Sequence, residues 1–304
     1  MNSTTSYLRY TRFVLIMVLL VIVAGAVVRM TQSGMGCPDW PTCFGRWIPP
    51  VNASQLPPDF EKYLRKQDID HTFNVYHTWI EYMNRLLGAL LGVFIFIHTI
   101  WSFRKFRNNN RSVFYISLLM LLAVGFQGWL GKKVVDANLA TLKVTAHMIV
   151  ALVIVVLPVL IISKIKASKV IAGRSLKALT VTTLVLVLVQ IILGTRVREQ
   201  IDEIASGLNY GQRNLWIGKL GQDFLIHRSF AAIVAAACVF LFIRSRSIPI
   251  LARHSRVILF FMLCSFAAGL AMFFMNIPAV AQPLHLLSGV LLAISLFSYR
   301  LKMK

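Results

Sequence analysis

The chain has 304 residues, 57% hydrophobic and 14% charged, with a mean hydropathy of +0.70. A soluble domain of this size does not carry so much apolar material, so the composition reads as an integral membrane protein. The net charge of +21 would fit a nucleic-acid binder only on a polar surface, and here the basic residues sit in short loops between apolar runs, which excludes nucleic acid as the partner.

About 20 apolar residues cross a bilayer as a helix. Eight segments meet that length, near 13–30, 78–103, 112–131, 139–163, 175–196, 222–243, 256–276 and 280–299. Ala24-Gly25-Ala26 resembles a signal-peptide cleavage site, but the repeat described below pairs this segment with the fifth, so the first is expected to be retained. The loops at 104–111, 164–177 and 244–256 are basic and free of acids, whereas all 11 acidic residues, from Asp39 to Asp223, fall on the other side. This charge asymmetry predicts both termini in the cytoplasm.

The longest loop, 31–76, contains SGMGCPDWPTCFGRWIPP and reads as a turn-rich outer cap. Cys37 and Cys43 lie on the oxidising side, where a disulfide is expected, either a structural staple or a redox pair. No CxxCH is present, and Cys238 and Cys264 read as small apolar residues inside helices.

The second segment opens with YHTWIEYMNRLLGALLG, which places His77, Glu81, Asn84 and Arg85 largely on one helical face. Asn84-Arg85 recurs as His227-Arg228 in the sixth segment, GAVVRMTQ (25–32) recurs as GTRVREQI (194–201), and His147 in VTAHMIVAL is matched by His285 in QPLHLLSGVLL. The chain therefore predicts an all-α integral membrane fold of eight transmembrane helices as two pseudo-symmetric four-helix bundles. The halves are 1–165, with the outer cap, and 166–304.

His147, His227 and His285 all fall within the first turns of helices that start at the outer face. Histidines facing each other across a bundle hold a haem by their axial nitrogens, so His227 with His285 reads as a haem pair. His98, near the cytoplasmic end of the second helix, and His254, in a basic loop, are expected to be solvent-linked; His71 receives no role. Arg85 and Arg228 suit haem propionates or lipid phosphates, as do Arg29 and Arg198. Glu81 inside a span reads either as a proton-transfer carboxylate or as the plain ion-pair partner of Arg85.

With GCPDWPTCFG, the block from Glu81 to Arg85, TAHMIVAL, IHRSFAA and PLHLLSG together, the chain resembles the haem A synthases, the CtaA-type membrane enzymes, over nearly its whole length. The resemblance implies oxidation of the C8 methyl of haem O to the formyl of haem A, a haem b cofactor in the second half and substrate haem O in the first. It further implies that His227 and His285 ligate haem b, that His147 faces the substrate iron, that Glu81 is the catalytic acid, and that Cys37 and Cys43 match the family's outer cysteine pair. Haem O synthase and the terminal oxidase assembly pathway are the partners implied, in a bacterial plasma membrane; association as a homo-oligomer is left open. One departure stands out, since the family pattern has His where this chain has Asn84. The substrate iron is then held by His147 alone, or His77 supplies the second nitrogen, or the activity is lost. The competing functions are a di-haem b electron-transfer protein and a repeat-built anion transporter.

Overall fold

The computed structural model describes residues 3–64, 73–137, 139–166 and 169–304; part of the outer loop, including His71, lies outside them. Among these residues eight helices are long and apolar enough to cross a membrane. They are α1 (Ser3–Met30), α2 (Val75–Phe106), α3 (Arg111–Asp136), α4 (Thr141–Lys166), α5 (Arg174–Gly207), α6 (Gln222–Ser245), α7 (Pro249–Phe274) and α8 (Ala281–Leu301). The chain is an all-α, multi-pass membrane protein. Its helices run longer than the apolar stretches because polar ends continue them into the loops. In α5, Arg196 pairs with Glu199 and Arg198 with Asp202 one turn on, and such pairs carry the helix past its apolar span.

The contacts divide the chain into two compact units, Met1–Ile162 and Ser163–Lys304. In the first, α2 packs against both α1 and α3. Glu81, Leu91, Ile95, His98 and Ser102 form its buried stripe, while Leu86, Leu90, Val93 and Phe96 on another face are exposed, as expected of a helix with one side toward lipid. The helix starts where it does because the Asn74 side chain accepts from the backbone N–H groups of Tyr76 and His77, which are orphan donors at any helix start.

In the second unit α5 packs on α6, α6 on α7, α7 on α8 and α8 back on α5, closing a four-helix bundle. Leu241, Leu251, Ile258, Leu296 and Tyr299 lie at the centre of its apolar core, and the buried Ser245 hydroxyl meets Tyr299 Oη at 2.5 Å.

Candidate functional site

The outer cap is tied to α2 through the Glu81 carboxylate. Glu81, only 4% exposed, accepts from the backbone N–H of Cys37 at 2.7 Å through Oε2 and from Arg85 Nη2 at 2.5 Å through Oε1. A guanidinium has five N–H groups, and Arg85 engages all of them. Nε and Nη2 reach Glu81, Nη2 also donates to the Cys37 carbonyl, and Nη1 donates to the carbonyls of Asp39 and Thr42. The three carbonyls lie within the loop closed by the Cys37–Cys43 disulfide, so the ion pair on α2 grips that loop.

Within the loop, Asp39 accepts from the Thr42 hydroxyl and from the backbone N–H groups of Phe44 and Gly45. This holds Phe44 and Gly45 at positive φ, where glycine is at ease and Phe44 is constrained. Gly36 approaches α2 so closely that a Cβ there would overlap the His77 carbonyl, and its own carbonyl accepts from Thr78 Oγ1. Farther out, a hydrogen bond from Lys62 lowers the Asp59 carboxyl below its ordinary value. Arg85, expected to suit a propionate or a lipid phosphate, thus has no N–H left for either: Glu81 and the carbonyls of Cys37, Asp39 and Thr42 have taken them.

In the second unit α6 and α8 bring His227 and His285 together, ring centres 6.3 Å apart and planes at 73°. His285 Nδ1 donates to the Ser265 carbonyl at 2.8 Å, which leaves the Nε2 lone pair free. The carbonyl of His227 accepts from Gln190 Nε2 at 3.1 Å, and that same amide nitrogen stands 3.4 Å from His227 Nε2; facing a donor, Nε2 is an acceptor here too. Two imidazoles bound to one metal at about 2 Å from each nitrogen have ring centres about 6 Å apart, so the observed spacing fits one metal between them. Among the described residues no three of His, Cys, Asp and Glu converge. A two-imidazole donor set suits a metal that brings its remaining ligands with it, as haem does.

Each histidine rests on a glycine of the preceding helix. A Cβ at Gly194 would stand 3.2 Å from His227 Cε1, one at Gly269 would stand 3.4 Å from His285 Cε1, and one at Gly131 would stand 3.5 Å from His147 Cε1. The fourth member is Asn84, whose Oδ1 is 3.9 Å from the same point on Gly25. Bare backbone beneath the ring lets it sit close to the helix.

A glutamine one turn before the glycine completes the arrangement twice. Gln127 Nε2 donates to the His147 carbonyl at 3.0 Å as Gln190 does to His227, and on α7 the Ser265 carbonyl occupies that level. Gln127, Gln190 and the glycines were not singled out in the sequence. The signal for them was the Q-x-x-x-G spacing shared by GFQGWLG and VQIILGT.

Five buried polar atoms at these positions have no hydrogen-bond partner: Asn84 Oδ1, Gln127 Oε1, His147 Nδ1, Gln190 Oε1 and His227 Nδ1. Buried polar groups are rarely left so, and their concentration around the histidines marks places that fit a bound polar or metal-containing group.

His77 lies elsewhere. It is two turns before Asn84, about 10 Å outward along α2, beneath the cap at Gly36. Arg228 is exposed and lies over the rings of Phe224 and Phe273. The expectation for His98 is corrected, because it is 0% exposed and not solvent-linked. Its Nε2 meets Thr11 Oγ1 at 3.0 Å and its Nδ1 meets Ser117 Oγ at 2.6 Å, so the polar partners that the sequence assigned to water come from α1 and α3. His254, by contrast, remains partly exposed at the surface.

A family profile described as COX15-CtaA, cytochrome oxidase assembly protein, matches residues 8–297. The chain belongs to that family. Among its curated relatives, the heme A synthase of Shewanella oneidensis is 29% identical over 138 residues, 45% of this chain and 39% of the relative. That of Bartonella quintana is 27% identical over 140 residues, 44% and 38% of the two chains. That of Halalkalibacterium halodurans is 34% identical over 113 residues, 37% and 30%. The matched stretch therefore spans less than half the length of each relative, whereas the family profile extends across both units.

Proposed function

We propose that this protein is a haem A synthase, which oxidises the C8 methyl of haem O to a formyl group. The observation that carries the reading is the His227–His285 pair, spaced for a single metal and backed by Ser265 and Gln190. Family membership and the names of the relatives support it. His227 and His285 hold haem b, with Arg228 toward its propionates; bound there, haem b supplies electron transfer. Substrate haem O lies in the first unit against His147, with Gln127 fixing the helix beneath that histidine and Asn84 at the fourth slot.

Glu81 is the acid that holds and moves a proton at the substrate, and Arg85 is the positioning residue that sets its carboxylate and locks the cap. The two-half organisation rests on the repeated Gly-over-His slots. The acid-free basic loops support cytoplasmic termini, with the haem sites toward the outer leaflet of a bacterial plasma membrane. An enzyme of this kind receives its substrate from haem O synthase and delivers its product to terminal oxidase assembly.

Pigment extraction from purified protein tests the reading. Haem b together with haem O or haem A is the expected content; two copies of haem b would point to a di-haem electron-transfer protein instead, and a colourless protein would sink both. Glu81→Gln keeps the size of the side chain but removes its ionisable proton and turns one acceptor oxygen into a donor, so it is expected to keep haem b and stop haem A formation.

A further inference from the structure

Three of the four glycine slots hold a histidine and the fourth holds Asn84. A carboxamide ends where an imidazole ring is only half complete. Because a metal stands about 2 Å from a ligating imidazole nitrogen, a metal placed to suit a histidine in this slot would lie beyond bonding distance of the shorter Asn84 amide. The slot is also looser: a Cβ on Gly25 would stand 3.9 Å from Asn84 Oδ1, whereas one on Gly194 would stand 3.2 Å from His227 Cε1. Asn84 Oδ1 is buried and has no hydrogen-bond partner, and the amide it belongs to offers two donors as well as an acceptor. His77 lies two turns away under the cap.

We infer that the first unit holds the substrate haem from one side only, through His147, and keeps the other axial face for a small neutral ligand hydrogen-bonded by the Asn84 amide. The second unit, with His227 and His285 on both faces, is closed to such ligands. The two units differ in kind, one a carrier of electrons and the other a site where a small molecule reaches the metal. This inference rests on the assignment of substrate haem O to the first unit.

Carbon monoxide is the probe. Reduced protein carrying both haems is expected to show a carbon monoxide difference spectrum for one haem and none for the other. Asn84→His should abolish that signal while both haems remain. Asn84→Ala should keep carbon monoxide binding and shift the C–O stretching band, since the amide beside the ligand is gone. A wild-type protein with two haems and no carbon monoxide binding overturns the inference, as does an Asn84→Ala band that does not move. Haem content unchanged in His147→Ala would overturn the first-unit assignment itself, and the inference with it, and is distinguished by extraction alone.

Discussion

His227 and His285 face each other across the second unit with ring centres 6.3 Å apart, yet their outer nitrogens are treated differently: His285 Nδ1 is bonded to the Ser265 carbonyl and His227 Nδ1 to nothing. A hydrogen-bonded Nδ1 makes an imidazole the more basic ligand. His285→Ala is therefore expected to lose haem b completely, and His227→Ala to leave a weakly held haem that exogenous imidazole restores. Haem spectra with and without imidazole check both, and an undisturbed two-histidine spectrum in either variant contradicts the pairing.

The glycine slots make a graded prediction. Gly194→Val adds bulk where even a Cβ would be 3.2 Å from His227, so haem b retention should fall about 10-fold or more, the scale of effects from groups that orient a ligand. Gly25→Ala, with 3.9 Å available, should leave haem content unchanged. Extracted haem per protein after size-exclusion chromatography reads both.

Gln190→Leu removes the amide that holds the His227 carbonyl. The expected outcome is a 10- to 100-fold loss of haem b affinity with the helix content intact. Equal haem retention by Gln190→Leu and wild type would show that the backbone bond positions nothing.

Arg85→Leu leaves Glu81 buried without its cation, and breaking a buried pair in this way costs about 3–5 kcal/mol. The loss should be local to the cap, seen as rapid proteolysis within 37–64, because Arg85 is bonded to three carbonyls of that loop. Reduction of the disulfide should be milder, about 2 kcal/mol for so short a loop, since the Arg85 and Asp39 bonds persist. Limited proteolysis with and without reductant orders the two.

Much of this is legible in the chain itself. The spans followed from length and hydropathy. The histidine set followed from the match of Asn84-Arg85 with His227-Arg228 and of His147 with His285. What escaped was tertiary. Arg85 reads as a free cation until the 37–43 loop folds onto it, and nothing local marks that contact. His98 departs from its sequence expectation because its partners, Thr11 and Ser117, come from other helices. It stands as far along α2 from Asn84 as Leu241 does along α6 from His227, and Leu241 is an apolar core residue, so the repeat itself held a hint that this level is buried. His98→Ala should cost about 1–3 kcal/mol for the two buried hydrogen bonds it removes, measured as thermal stability at unchanged haem content.

The way Glu81 is bonded constrains more than the shape of the cap. A carboxylate presents about four lone-pair sites. Oε1 has both of its sites taken by Arg85, and Oε2 has one taken by the Cys37 N–H. One direction of approach remains, on Oε2. While the cap is closed, any proton exchanged by Glu81 must come and go along that single line, so the carboxylate behaves as a port with one entrance rather than an open acid. Traffic from another side first requires the cap to lift.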